Sequence, residues 1–377
     1  MSAKRKFLFL YLNTGGGHRS AANVIKNIFQ EKYPDVETVS ENGFAENDFM
    51  SKLAFEKLYH FSMNYVPGIY SLIYRMGGRF FQTITNNCLN FSVSNHIANL
   101  IKKHNPTDIV CFHFGLGPAV TTAIKKTKKS INYSMVVTDP FTAHSSWFYD
   151  KKTKYYVFSD EVRNFAIEKC KIPPEMVEIC PFLINQKFRQ IATKEDIKSL
   201  RVKHNLPLDK KIVLLTGGGE GLPNMIAIVK EFILRKVDFT VVVVCGRDAR
   251  TKSVLDILAK TQKDVDVRVY GFINFMDEIV KTCDCAVIKA GPASLMEVLV
   301  SKKAVIMNHF IYGQELGNVE FALKNKVGLF IRDPKKITKA VDIMLHDEKY
   351  LEETYARLEN LPISFESEKL VDSLMAI

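Results

Sequence analysis

The sequence IKAGPASLME at residues 288–297 has the pattern of a β-strand that turns directly into an α-helix. The apolar run at 285–288 is typical of a buried strand, and residues 295–299 form the apolar face of a helix. Pro292 stands near the first helical turn, where proline is tolerated. Such a connection leaves backbone N–H groups unpaired at the helix start, which favours an anion.

Two polar side chains in this stretch suggest a nucleotide ligand. Ser294 can add a hydroxyl to an anion site, and Glu297, which we place on the first helical turn, has a carboxylate suited to a ribose diol. The alternative is an ordinary strand–turn–helix connection of an α/β domain, because small-residue turns recur in such folds. A strand at 304–308 and the sequence YGQELGN at 312–318 follow and supply further polar groups.

The same strand–glycine turn–helix pattern occurs twice more. The apolar run 7–12 leads into TGGGHRSAA at 14–22, and the apolar run 211–216 leads into Gly217-Gly218-Gly219. Glycine lets the backbone pass close to a ligand, and a helix start favours negative charge. Neither turn is a P-loop, because the required Lys-Ser/Thr is missing. The repetition predicts two similar nucleotide-binding halves.

Polar residues at the predicted ends of strands are candidates for catalysis. His18 follows the first glycine turn, and Asp139 follows the strand Met135–Val137. In a parallel sheet these positions face the ligand crevice. Asp139 could accept a proton directly or orient a base. The alternative for each residue is a structural helix cap.

Composition restricts the class of protein. At 377 residues, 47% of them hydrophobic, the chain is long enough for two domains. The seven cysteines lack the spacing of a disulfide or zinc framework, which favours a reducing, cytoplasmic compartment. The net charge of +11 suits an anionic ligand or membrane surface; we find no nucleic-acid motif and expect no nucleic-acid partner. No apolar run is long enough to span a membrane.

Residues 44–91 are rich in aromatic side chains. Eleven Phe or Tyr residues occur there with Lys52, Lys57, Arg75 and Arg79 interleaved. An amphipathic segment of this kind can lie in a bilayer interface. Buried helices inside the first domain would give the same pattern.

Four motifs together resemble one enzyme family. KAGPAS-x-x-E with YGQE-x-GN, TGGGHRSAA, Val-Thr-Asp at 137–139 and His-x-x-Trp at 144–147 are similar to motifs of the monogalactosyl- and glucosyl-diacylglycerol synthases. Those enzymes are GT-B glycosyltransferases, related to the enzyme that adds N-acetylglucosamine to the peptidoglycan lipid precursor. One departure is Gly-Pro-Ala at 291–293, where the family turn is commonly Gly-Pro-Gly.

The resemblance implies an α/β fold of the GT-B type, with two Rossmann-like domains that face a central cleft. We predict an acceptor- and membrane-binding domain at 1–181 and a UDP-sugar-binding domain at 182–345. The C-terminal helices at 346–377 would follow, the last of them packing back on the first domain.

The resemblance also implies the donor site. Gly271 and Phe272 would hold the uracil base, Glu297 would hold the ribose, and Gln314 and Glu315 would hold the sugar hydroxyls. Amides near the two turns would bind the diphosphate; the residues concerned are Gly218, Gly219, Ala290, Gly291, Ala293 and Ser294.

The implied reaction is an inverting hexosyl transfer from UDP-glucose or UDP-galactose to the hydroxyl of diacylglycerol. His18 or Asp139 would be the base. The acceptor would contact Gly16, Gly17, His144 and Trp147. No cofactor or essential metal is expected, and the enzyme would lie peripherally on the inner face of the cell membrane.

Three alternatives stay open from the sequence. The first is a GT-B transferase with another lipid-linked or soluble acceptor. The second is a catalytically silent membrane protein that senses UDP-sugars. The third is a sugar-nucleotide epimerase of similar shape, although its usual array of acidic residues is not evident.

Overall fold

The computed structural model describes residues 5–13, 17–45, 92–219 and 221–377. The chain forms two compact units. The first comprises residues 1–183, 312–314 and 363–377, and the second comprises residues 184–311 and 315–362. Both are α/β units with a parallel sheet, so the predicted fold class is confirmed.

The first unit is built on a six-stranded parallel sheet. Its strands are β1 (Lys6–Tyr11), β2 (Glu37–Asn42), β3 (Asp108–Cys111), β4 (Asn132–Val136), β5 (Lys154–Val157) and β6 (Val177–Ile179). The spatial order is β2-β1-β3-β4-β5-β6. Strand β2 lies on one side of β1 and all later strands lie on the other. The carboxyl ends of β1 and β3 therefore mark a topological switch point, where α/β folds bind ligands.

Helices cover this sheet. They are α1 (Gly17–Lys32), α2 (residues 92–104), α3 (Gly117–Thr127) and α4 (Asp160–Asn164), the last continuing as a π-helix at Phe165–Lys169. The apolar positions of α1, among them Ala22, Ile25 and Phe29, are buried, as the helical spacing in the sequence indicates. Between β4 and β5 the chain makes a short 3₁₀ turn at Ser145–Trp147.

A C-terminal helix (Glu368–Met375) completes the first unit. It buries Leu370, Val371 and Leu374. The Lys32 ammonium lies 2.5 Å from the Asp372 carboxylate, and the Tyr33 hydroxyl donates to the same group at 2.9 Å. The end of the chain is thereby attached to α1.

The second unit contains another six-stranded parallel sheet. Its strands are β7 (Ile212–Thr216), β8 (Thr240–Val244), β9 (Val267–Tyr270), β10 (Cys285–Lys289), β11 (Ala304–His309) and β12 (Gly328–Phe330). The order β12-β11-β10-β7-β8-β9 is that of a Rossmann fold. Its switch point lies between β7 and β10. The central strands are buried on both faces, which explains their continuous apolar sequences.

In the part of the second unit that the structure describes, nine helices cover the sheet or connect its strands. They are α5 (Gln186–Arg189), α6 (Lys194–Lys203), α7 (Met225–Leu234), α8 (Ala249–Thr261), α9 (Met276–Thr282), α10 (Pro292–Val300), α11 (Leu316–Lys324), α12 (Pro334–His346) and α13 (Glu348–Glu359). Over the residues that the structure describes, none of the helices is both long and apolar enough to cross a bilayer.

Candidate active site

His18 lies at the switch point of the first unit. It is the second residue of α1, which follows β1, and it contacts the segment that follows β3. Its Nδ1 atom is 2.8 Å from the carbonyl oxygen of Phe112 and 2.9 Å from the Thr138 hydroxyl. The structure thus brings together residues from the ends of β1, β3 and β4 around one imidazole.

These contacts fix the protonation of the ring. A carbonyl oxygen can only accept a hydrogen bond, so Nδ1 carries the proton and donates to Phe112. Burial lowers the pKa of His18 to about 4, although the hydrogen bond to Phe112 acts in the opposite direction. The neutral ring at pH 7 therefore has its lone pair on Nε2, which is the arrangement of a general base.

A second buried histidine, His113, lies beside the first, with 4.6 Å between the ring centroids. Its Nδ1 accepts a hydrogen bond from the backbone N–H of Gly115 at 3.0 Å, so in the neutral ring the proton is on Nε2. Burial and the neighbouring His18 lower the pKa of His113 well below its usual range. The only signal for His113 in the sequence is its position two residues after β3.

Asp139 is buried and held by two side chains within the first unit. The indole Nε1 of Trp147 donates to one carboxylate oxygen at 2.8 Å, and the amide of Gln314 donates to the other at 3.3 Å. The partners of His18 Nδ1 are Phe112 and Thr138. Gln314, predicted to hold the sugar, contacts Asp139 here.

The predicted acceptor contacts differ in accessibility. Trp147 is 0% exposed and packs edge-on against Phe114, so it positions Asp139 and presents no surface to an acceptor. His144 caps the 3₁₀ turn, where its Nδ1 accepts from the N–H of Ser146. Gly17 begins α1, and among the described residues outside its own helix turn no atom lies within 4 Å of the position that a Cβ would take. Gly16 and most of the aromatic segment, residues 46–91, lie outside the described residues.

The switch point of the second unit brings its two predicted turns together. Gly217–Gly219 follow β7, and Gly291 follows β10 as the N-cap of α10. A Cβ on Gly218 would lie 3.4 Å from the Ser294 hydroxyl. Gly218 has φ +71°, a conformation that favours glycine. The predicted diphosphate residues from both turns are therefore neighbours.

The start of α10 offers three backbone donors. No side chain caps this helix, and Pro292 has no N–H, so the amides of Gly291, Ala293 and Ser294 lack an intrahelical acceptor. Ala290 is a correction. Its N–H already donates to the carbonyl of His309 at 2.8 Å, so it is not available to a phosphate. The Asn318 amide donates to the Ala290 carbonyl at 2.8 Å and fixes the turn further.

Glu297 lies one turn deeper in α10 than the sequence suggested. The helix begins at Pro292, which places Glu297 on its second turn. Burial, reinforced by the nearby Asp277 carboxylate, raises the pKa of Glu297 to about 8. The group is therefore largely protonated at neutral pH in the unliganded protein.

Glu315 is buried with both oxygens engaged. The Lys289 ammonium lies 3.1 Å from Oε1, and the N–H of Ile311 donates to Oε2 at 2.7 Å. Glu315 therefore fixes the loop after β11, and its predicted contact with sugar hydroxyls would have to compete with these partners. Lys289, which ends β10 next to the anion site, was not identified from the sequence.

The proposed base-binding turn lies beside the turn at Gly246, which follows β8. Gly271 follows β9, and a Cβ on it would be 3.9 Å from the carbonyl of Gly246. The next residue, Phe272, is exposed, and the guanidinium of Arg247 lies 5.2 Å from its ring centroid. The sequence patterns predict no functional role for Arg247.

The sequence contains one Asp-x-Asp pattern, Asp264-Val265-Asp266, of the kind that can chelate a metal. It precedes β9 and therefore lies at the amino end of the sheet, opposite the switch-point crevice. Asp264 is 3.0 Å from the Lys236 ammonium, and Asp266 accepts a hydrogen bond from Thr240. The pattern has a structural role here.

Replacing Gly246 with alanine is expected to destabilise the second unit by about 2–4 kcal/mol. This residue has φ +59°, and a Cβ would lie 2.5 Å from the Gly218 carbonyl and 2.7 Å from that of Gly219. Urea unfolding measures the effect. Gly219→Ala is the control, because its Cβ would meet only the flexible end of Arg247, at 3.7 Å. Equal stability of the two variants would contradict this geometry.

Two family models match the chain, one on each half. Residues 18–181 match the model of monogalactosyldiacylglycerol (MGDG) synthase, and residues 212–362 match the C-terminal domain of glycosyltransferase family 28. The first match includes His18 and Asp139, and the second includes all of the candidate diphosphate residues.

The chain is also similar to proteins of a plant and of a bacterium. It is 29% identical over 360 residues to a probable monogalactosyldiacylglycerol synthase of Nicotiana tabacum, covering 89% of this chain and 64% of the relative. It thus spans slightly less than two thirds of that protein. It is 26% identical to the processive diacylglycerol beta-glucosyltransferase of Bacillus licheniformis, covering 100% of this chain and 96% of the relative.

Solved structures share the fold. Acinetobacter baumannii MurG aligns with a TM-score of 0.63 at 11% identity, covering 99% of this chain and 100% of that one. The UDP-GlcNAc 2-epimerase of Neisseria meningitidis, bound to UDP-GlcNAc, aligns with a TM-score of 0.66 at 12% identity over the same shares. The fold alone does not separate a transferase from an epimerase.

Proposed function

Because the chain joins a monogalactosyldiacylglycerol synthase domain to a family 28 glycosyltransferase C-terminal domain, we propose that it transfers a hexose from a UDP-sugar to diacylglycerol. The donor would be UDP-glucose or UDP-galactose, and the product a β-glycosyl-diacylglycerol. The observation that carries the proposal is the pair of polar sites at the two switch points. One presents a neutral imidazole, and the other presents amides at a helix start that have no intrahelical acceptor.

The donor would bind to the second unit. Its diphosphate accepts hydrogen bonds from the amides of Gly291, Ala293 and Ser294, next to Gly218. The positive end of the α10 dipole favours the same charge. Glu297 receives the ribose hydroxyls, and the Gly271–Phe272 turn receives the uracil.

The acceptor hydroxyl would be activated at the first unit. We assign the base to His18, because its Nδ1 proton is fixed by Phe112 and its Nε2 lone pair is left for the substrate. The acceptor oxygen attacks the anomeric carbon from the side opposite the diphosphate, and its proton passes to Nε2. The bond from the anomeric carbon to the diphosphate oxygen breaks, and UDP leaves with the electron pair. The proposal requires the two domains to face each other across a cleft, which stays a prediction.

We propose that this transfer needs no metal ion. Negative charge develops on the departing diphosphate, and preorganised amides at a helix start are suited to stabilise it. The sequence-based expectation of an anionic membrane surface as partner, and of a peripheral position on the inner face of the membrane, belongs to the same proposal. The basic and aromatic composition of residues 44–91 supports it.

The test is incubation of the full chain with diacylglycerol vesicles and each UDP-sugar, with and without EDTA. Mass spectrometry should detect hexosyl-diacylglycerol, proton coupling constants should show a β-linkage, and EDTA should leave the rate unchanged. A vesicle series with and without anionic lipid measures the surface requirement. Free N-acetylmannosamine formed from UDP-GlcNAc, with no glycolipid from either hexose donor, would indicate an epimerase and overturn the proposal.

A further inference from the structure

Arg247 is placed at the edge of the candidate donor site by the fold itself. It follows β8, the strand next to β7, and the sharp turn at Gly246 directs the chain there. Its backbone N–H donates to the carbonyl of Gly219 at 2.9 Å. The segment after β8 is thereby attached to the glycine turn after β7.

The guanidinium lies over this turn. One of its nitrogens is 3.7 Å from the position that a Cβ atom would take on Gly219. On the neighbouring residue, Gly218, the corresponding position is 3.4 Å from the Ser294 hydroxyl at the start of α10. The glycine turn therefore lies close both to the start of α10 and to a guanidinium group.

This cation differs from the nearby lysines. Lys289 pairs with Glu315 at 3.1 Å, and Lys252 pairs with Asp256 at 2.6 Å. Among the residues that the structure describes, no carboxylate pairs with Arg247; its guanidinium stacks on Phe272, a ring that is itself 64% exposed. An exposed aromatic ring that supports an arginine restricts the planar group while leaving its N–H donors available.

We propose that Arg247 binds the diphosphate of a nucleoside diphosphate, with Phe272 as the platform that orients its guanidinium. A planar guanidinium can donate two parallel hydrogen bonds to phosphate oxygens, and its charge is fixed at any physiological pH. Arg247 would add a positive charge to the diphosphate site, whereas the α10 amides are neutral donors. The inference rests on the proposed function, because it adds Arg247 to the proposed donor site as a ligand of the diphosphate.

Calorimetric titration of the full chain with UDP and with uridine tests the proposal. Arg247→Met should weaken UDP binding by roughly 10- to 100-fold and change uridine binding by less than about threefold, because only UDP carries the diphosphate. Arg247→Lys keeps the charge but lacks the planar guanidinium group. Its UDP affinity should lie between those of wild type and Arg247→Met. Phe272→Leu should weaken UDP binding less than Arg247→Met does.

Arg250→Met is the matched control. Arg250 is an exposed arginine on the first turn of α8, so its loss changes the net charge equally; UDP affinity should stay within about threefold of wild type. Thermal unfolding of each variant verifies the fold. Wild-type UDP affinity in Arg247→Met, or an equal loss of uridine and UDP binding, would contradict the role of Arg247. Either result would leave the proposed function standing. A wild-type chain that binds neither ligand overturns the proposed donor and this inference with it.

Discussion

His18→Ala is expected to lower kcat by about 10²- to 10⁴-fold while UDP affinity stays within about twofold of wild type, because general-base catalysis contributes on that scale. The imidazole is fixed by the Phe112 carbonyl and the Thr138 hydroxyl, and the candidate donor residues are in the other unit. Its loss should therefore remove proton transfer without removing donor contacts. Steady-state kinetics combined with UDP titration separates the two effects.

The pH dependence of kcat gives a second measurement on the same residue. The pKa of His18 is about 4, so the ring is neutral and able to accept a proton above that value. Activity should be independent of His18 ionisation from pH 5 upward and fall about tenfold per pH unit below pH 4. The control variant is His346→Ala, because His346 is an exposed histidine of the second unit. Wild-type turnover in His18→Ala would remove this residue from the mechanism.

Glu297→Ala is expected to raise the donor KM by about 100-fold, with a smaller effect on kcat. Two hydrogen bonds from ribose hydroxyls to a carboxylate are worth about 1.5–3 kcal/mol each, and partial replacement by water reduces the net loss. Glu297→Gln keeps one acceptor oxygen at the same place and should be affected less. Initial rates over a range of UDP-sugar concentrations give both constants.

The pH profile of this KM has a definite sign. Burial and Asp277 raise the pKa of Glu297 to about 8, so the unliganded group gains its charge as the pH rises through that value. Ribose hydroxyls donate to the ionised form more strongly, so binding should release a proton and the donor KM should fall between pH 6 and pH 9. Glu297→Gln should lose this dependence. If Glu297→Ala bound the donor as wild type does, the ribose site would be elsewhere.

Local patterns predicted the two strand–turn–helix connections that carry the candidate sites, because strand, turn and helix are consecutive in the chain there. The apolar run before His18 and the one before Gly291 are β1 and β10, and each ends at a switch point. Whether the backbone N–H of a turn residue is available to a ligand, however, depends on the strand beside it in the sheet. The Ala290 amide is taken by His309 because the register of β10 and β11 shifts after Ile288. No single-strand pattern encodes that pairing.

Side-chain partners distant in sequence account for the other differences. Trp147 appeared to be an acceptor contact, but its indole is enclosed and hydrogen-bonded to Asp139. Glu315 is predicted to bind the sugar hydroxyls, and its pairing with Lys289 at 3.1 Å is a contact that the sequence alone does not indicate. Arg247 is not part of a periodic sequence pattern. Its only signal in the sequence is its position in the turn after the buried strand β8.

The attachment of the last helix to α1 has a consequence for synthesis of the protein. The first unit is discontinuous in sequence, since residues 363–377 belong to it. Its core residues Leu370 and Leu374 are synthesised after all of the second unit has been made. The amino-terminal unit should therefore be the later of the two to mature. Chains truncated before Glu368 would be exposed to chaperones and proteases in that unfinished state.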